Sequence, residues 1–147
     1  MKEAAIVRNF AIGLLLAFLI ILPAARADEN DQATKVTFNQ AVQLPGRVLP
    51  AGTYWFELPA DLTHEYQVRI FNSDRTVLVA TFLTIDASRT KTVGTTAFTF
   101  TERGDGQPPT VVSWFYPGQT TGHEFIYPKQ TQQEFAKEKQ VTVVAGD

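Results

Sequence analysis

Gln43-Leu44-Pro45-Gly46-Arg47-Val48-Leu49-Pro50-Ala51-Gly52-Thr53-Tyr54-Trp55-Phe56-Glu57-Leu58 is the stretch that decides the fold. It holds two turn devices, Leu44-Pro45-Gly46 and Leu49-Pro50-Ala51-Gly52. Proline presets the negative φ of a turn's second position, and glycine accepts the positive φ that follows. Beyond the second device Tyr54, Phe56 and Leu58 alternate with Thr53, Trp55 and Glu57. That period of two belongs to a strand with one apolar face. A chain that turns twice in so short a span and then alternates is building β-hairpins.

The same pattern extends outward in both directions. Val36 and Phe38 alternate with Thr37 and Asn39, and Tyr66, Val68 and Ile70 alternate with Gln67, Arg69 and Phe71 before Asn72-Ser73-Asp74 turns the chain. Thr76 to Ile85 is apolar at both parities, which predicts a central strand covered on both faces. Phe98 and Phe100 define another strand, Arg103 to Pro109 is a Gly/Pro loop, and Val111–Tyr116 and His123–Tyr127 follow as strands. The alternation assigns Phe38, Tyr54, Phe56, Val68, Ile70, Val79, Leu83, Phe98, Phe100, Val112 and Phe125 to the core. One helix is expected, with Thr131-Gln132-Gln133-Glu134 as a capping box and Phe135 and Ala136 as its buried side. Gln140 to Ala145 returns to β character, either as the domain's own edge strand or as a strand that pairs with another molecule. Short strands at roughly 8–12-residue spacing predict an all-β fold, an antiparallel β-sandwich over residues 34–147 with one short C-terminal helix.

Three stretches also carry a resemblance: Gln43 to Tyr54, Val68-Arg69-Ile70-Phe71-Asn72, and Trp114-Phe115-Tyr116-Pro117-Gly118 with Glu124-Phe125-Ile126-Tyr127-Pro128. Together they make residues 34 to 138 resemble a family of small exported bacterial β-sandwich proteins of unknown function. The resemblance implies the fold and the compartment, and it supplies no activity, cofactor or site residue.

The amino terminus speaks for export on its own residues. Lys2 and Arg8 precede an unbroken apolar run from Phe10 to Leu22, Pro23 ends it, and Ala25-Arg26-Ala27 offers a small-x-small cleavage site. This is the three-part layout of a secretory signal peptide over residues 1–27. The run is shorter than the ~20 apolar residues a helix needs to span the hydrocarbon core, so no stable membrane insertion is expected after cleavage. Residues 28–33 (DENDQA) are polar and without period, and read as a disordered leader. The expected location is the periplasm or the medium.

Composition narrows the function further. The whole chain has a net charge of −2, and loss of Lys2, Arg8 and Arg26 against Glu3 makes the remainder more acidic. Its basic residues are scattered, so no clustered basic face exists to neutralise phosphates and no nucleic-acid partner is expected. There is no cysteine, which excludes disulfides, thiol catalysis and thiolate metal sites. His64 and His123 are the only near-neutral acid–base groups, and no nucleophile elbow, P-loop or H-E-x-x-H occurs. His123 and Glu124 are neighbours on a strand and point to opposite faces, so they do not converge. Arg103-Gly104-Asp105 matches an adhesive tripeptide, but so short a string arises often by chance and Gly104-Asp105-Gly106 is what a tight hairpin turn favours. No catalytic residue, metal site or cofactor is therefore expected.

The richest patch is aromatic. Trp114, Tyr116, His123 and Tyr127 lie on two strands joined by a Gly-containing connection, and form the candidate ligand-binding set. Tryptophan and tyrosine pair a flat apolar face with a polar handle, which suits a sugar or a peptide. Cross-strand packing is the commoner use of such residues. The expected function is thus a non-enzymatic interaction or structural domain of the cell envelope, with an envelope protein or glycan as partner. The alternative is a carbohydrate- or peptide-binding module using the aromatic platform, with a hydrolase a distant third.

Overall fold

A computed structural model describes residues 32–60, 66–90, 94–104 and 106–144. The signal-peptide segment, residues 28–31 of the leader, His64 and Asp105 lie outside the described residues. Those described form ten strands and one helix: β1 (Ala33–Phe38), β2 (Val42–Leu44), β3 (Arg47–Leu49), β4 (Gly52–Glu57), β5 (Gln67–Phe71), β6 (Leu78–Ser88), β7 (Ala97–Thr101), β8 (Thr110–Phe115), β9 (Thr121–Phe125), α1 (Lys129–Phe135) and β10 (Gln140–Val144). The fold is all-β. The strands join in the order β1-β4-β5-β6-β9-β8-β2-β3, with β7 on β8 and β10 on β7. Every pairing is antiparallel except the single parallel bridge of β2 to β8 through Gln43 and Thr110.

The opening stretch folds as its residues dictate. Pro45-Gly46 turns β2 into β3, with Gly46 at φ +66°, a left-handed conformation that glycine adopts without a Cβ clash. The Leu49–Gly52 device then turns the chain into β4, where Tyr54 donates its hydroxyl to the Pro50 carbonyl at 2.7 Å. At the far end of β5, Asn72 Oδ1 accepts from the backbone N–H groups of Thr76 and Val77 (2.9 and 3.0 Å), closing the expected Asn-Ser-Asp turn.

β6 is the organising strand. Its first half pairs with β5 (Gln67↔Leu83, Val68↔Phe82) and its second half with β9 (Thr84↔Phe125, Asp86↔His123). It therefore joins two groups of strands, β1-β4-β5 and β9-β8-β7-β10. Rings from the two groups meet edge to face: Phe98 of β7 lies 5.7 Å from Phe38 of β1 and 5.2 Å from Phe56 of β4, strands with which β7 shares no register. Phe38, Phe56, Val68, Ile70, Phe98, Phe100 and Phe125 are buried as expected, and Tyr54 and Val79 pack partly buried against them.

Four expectations are corrected. β6 is central in strand order but not covered on both sides: Phe82 and Thr84 face inward, while Leu83 and Ile85 are 62% and 52% exposed. Strands of an antiparallel sheet commonly place one face on the core and the other in solvent. Apolar residues at both parities concealed which case applied.

Val112 is only half-buried, and Val111 takes its place in the core. The cause is a bulge: Thr99 pairs with Ser113 but Phe100 with Val111, leaving Val112 unpaired. One extra residue re-phases the strand, so Val111 and Trp114 both face inward across a spacing of three.

The helix begins at Lys129 with Pro128 as its N-cap and no side-chain cap, so Thr131 and Glu134 do not form a capping box. Proline at the helix start has no N–H to satisfy, and Glu134 instead meets Arg103 at 3.2 Å. Phe135 is buried against Tyr127 (4.9 Å between ring centres), but Ala136 is exposed. Finally, β1 begins at Ala33, which the expected leader of residues 28–33 included, and Ala33 is buried. At the other end, Gln140–Val144 is the domain's own edge strand on β7.

Candidate functional site

The four aromatic candidates are not brought together as a platform. Trp114 is fully buried; its Nε1 donates to Thr96 Oγ1 at 2.7 Å, and its ring lies 5.6 Å from Phe56 and 6.4 Å from Phe98. Tyr127 is also buried, and its hydroxyl donates to the Val111 and Gln43 carbonyls. Burial pushes the Tyr127 hydroxyl well above its ordinary pKa, so it remains a neutral donor. Both polar handles are satisfied from within, and both rings act as core. Tyr116 is half-buried and packs against that core.

His123 is half-buried beside them. Its Nδ1 lies 3.0 Å from Thr84 Oγ1, its ring lies 6.1 Å from Trp114, and Asp86 is its cross-strand partner. Desolvation lowers the His123 pKa, opposed by the Asp86 carboxylate, which raises it; the net direction is down. A histidine depressed in the native state binds fewer protons than the unfolded chain just below pH 6.5. Stability therefore falls as pH drops through that region. Thermal melts between pH 8 and 5 should show this loss, and His123→Gln should flatten it; an unchanged slope in the variant would assign the loss elsewhere.

Trp55, on the opposite arm of the sheet, is likewise occupied. Lys35 Nζ and the Arg75 guanidinium lie 5.8 and 4.9 Å from its ring centre, and its Nε1 donates to the Ser73 carbonyl at 3.0 Å.

A different surface offers a site. Registers align Ile85, Glu124, Ser113, Thr99 and Thr142 as one row across β6, β9, β8, β7 and β10. The row lies on the face opposite the core, because its neighbours Trp114 and Phe98 point inward. Beside it, Ala87 pairs with Gly122, Phe115 with Ala97, and Ala97 with Val144. Over these rows lies a groove of about 730 Å³, with Glu124, Ser113, Thr99 and Thr142 in its lining.

Arg89 closes one flank. Its guanidinium carbon sits 4.5 Å from the centre of the Phe115 ring, and its Nε donates to the Gln119 carbonyl at 3.1 Å. Phe115 in turn lies over Gly122, where a Cβ would come within 2.5 Å of its ring. Beyond Glu124 the surface becomes apolar, with Leu83, Ile85 and Ile126 all exposed. The groove thus combines hydroxyls, the carboxylates of Glu124 and Asp86 and a pinned cation with an apolar ledge. This inventory suits holding a ligand by hydrogen bonds and burial.

The sequence reading named none of the residues lining this groove as site residues. The signal was present as outward-facing Ser and Thr on separate strands, but only the strand order places them side by side. His123 and Glu124 point to opposite faces, one toward Trp114 and the other into the groove. Among the described residues, no group of three or more His, Asp or Glu is placed to hold a metal ion, and no helix is long and apolar enough to cross a membrane. Comparison of the chain with protein-family models, with curated proteins and with solved structures found no match in any of the three.

Proposed function

We propose that the chain is an exported, non-catalytic binding domain that holds a protein partner on the outer face of β6, β9, β8, β7 and β10. The observation that carries this reading is the ledge of Leu83, Ile85 and Ile126 beside the groove. Solvent-facing positions of an antiparallel sheet are ordinarily polar, and contiguous exposed apolar side chains rimmed by polar ones mark interaction surfaces. The groove adds directional hydrogen-bonding groups next to that apolar area, the combination found in recognition surfaces. Export rests on the charged, apolar and Ala-x-Ala segments of residues 1–27. We read the architecture as a β-sandwich whose two layers share β6, on the strength of the edge-to-face contacts between β1, β4 and β7.

Ile85→Asp tests the reading. The side chain is exposed, so folding stability should change by no more than about 0.5 kcal/mol. Capture of the envelope partner by the purified protein should fall at least about tenfold, the equivalent of ~1.4 kcal/mol. Unchanged capture by a folded variant would refute a partner on this face. Saturable binding of envelope glycans that the variant retains would reassign the groove to a carbohydrate.

A further inference from the structure

We propose that the free edge of β10 is a self-pairing surface, through which two copies of this chain join antiparallel about a two-fold axis at Thr142. The proposal is independent of the partner on the outer face. It starts from which backbone groups β10 leaves open. Glu102 N–H donates to the Lys139 carbonyl at 3.0 Å, and the register continues in step through Val141↔Phe100 and Val143↔Phe98. Backbone groups alternate between the two sides of a strand. Val141 and Val143 therefore spend theirs on β7, and the N–H and C=O of Gln140, Thr142 and Val144 point to the open side.

Three strands are sheet edges among the described residues, and they are not alike. β3 has three residues, contains Arg47 and is flanked by Pro45 and Pro50. β1 carries Lys35. Short length, proline and lysine are the usual devices that stop edges from pairing. β10 has none of them: Gln-Val-Thr-Val-Val is uncharged, free of proline and mostly β-branched. An edge left open in this way is a template for another strand.

The occupant that fits is a second β10. Its central triplet, Val141-Thr142-Val143, reads the same in both directions about Thr142. A two-fold at Thr142 sets Thr142 against its own copy and Gln140 against Val144 of the other chain. Every outward N–H and C=O of the strand then finds a partner, and each Val141 lies beside a Val143. No other centre pairs all three outward-facing residues. Thr142 Oγ1 already lies 3.3 Å from Thr99 Oγ1, so pairing would extend a threonine row across both chains. Cross-strand threonine pairs are themselves stabilising. The groove, which Thr142 and Val144 help to line, would run on into that of the second copy.

The native chain has no cysteine, so single-cysteine variants report cleanly. Directly opposed residues of a hydrogen-bonded antiparallel pair have Cα atoms about 5.5 Å apart, within disulfide reach. Two copies of residue 144 would be about 14 Å apart at ~3.4 Å per residue, beyond it. The experiment is sedimentation equilibrium of the untagged protein up to about 1 mM, a range that captures weak association, together with oxidation of Thr142→Cys and Val144→Cys. The expected result is a concentration-dependent dimer, with Thr142→Cys cross-linking at least about tenfold faster than Val144→Cys. Thr142→Pro should abolish the dimer, because proline removes an outward N–H that β7 does not use. A monomer throughout, or cross-linking of Val144→Cys as fast as Thr142→Cys, would overturn the proposal. So would a dimer that survives in Thr142→Pro. If that variant does not fold, the cysteine pair still decides.

Discussion

Phe98→Ala is expected to cost about 3–5 kcal/mol of folding stability, the range for deleting a fully buried phenylalanine. Phe98 is fully buried and touches both arms of the sheet: Phe38 at 5.7 Å, Phe56 at 5.2 Å, and its own side's Phe100 and Trp114 at 6.0 and 6.4 Å. Four surrounding rings cannot collapse into the space without losing contact with each other, so most of the cavity should persist. Urea melts give the difference directly. Leu83→Ala, at an exposed position that is the last β6 residue paired with β5, should change stability by no more than about 0.5 kcal/mol. A loss below about 1 kcal/mol for Phe98→Ala, or a large loss for Leu83→Ala, would mean that the faces of β7 or β6 are reversed.

Gly122→Ala is expected to destabilise by about 1–3 kcal/mol, although it adds a single methyl group. A Cβ at this position would lie 2.5 Å from Cδ1 and 2.7 Å from Cγ of Phe115, and 2.7 Å from the Trp114 carbonyl oxygen. The carbonyl is backbone and cannot swing aside. The ring is held under the Arg89 guanidinium, and the Phe115 carbonyl accepts the Thr96 hydroxyl at 3.1 Å. The double variant Gly122→Ala/Phe115→Ala should therefore lose less than the two single variants combined, because the ring clash is counted in only one of them. Simple additivity in thermal or urea melts would contradict this contact. The same clash would push Phe115 toward the groove, so partner binding should weaken along with stability.

Much of the fold was legible in the sequence because the alternation is local. Phe56, Val68, Ile70, Phe98 and Phe100 are buried where a period of two puts them, and Asn72-Ser73-Asp74 turns the chain as its side chains favour. What failed was non-local. The bulge at Val112 shifts the phase of β8, and it exists only in relation to the register of β7. Leu83 looked like core because its residue type is apolar, and its exposure follows from which face of β6 the other strands leave uncovered. The site was harder still. Trp114 and Tyr127 have the chemistry of a ligand platform, but Thr96 Oγ1 and the Val111 carbonyl take their polar groups inside the fold. Glu124, Ser113, Thr99 and Thr142 each looked like ordinary outward residues until the strand order set them in one row.

The outer-face binding surface is tested most directly by site-specific photocross-linking in living cells. A photoreactive side chain placed at Ile85 beside the groove, or at Thr37 on β1 as the control, reports what each surface touches in the intact cell. Residue 85 is predicted to yield one discrete protein adduct, which Glu124→Ala weakens and which does not form from residue 37. Equal labelling from both positions, or no adduct from residue 85 while the protein is folded and abundant, would contradict a partner on this face.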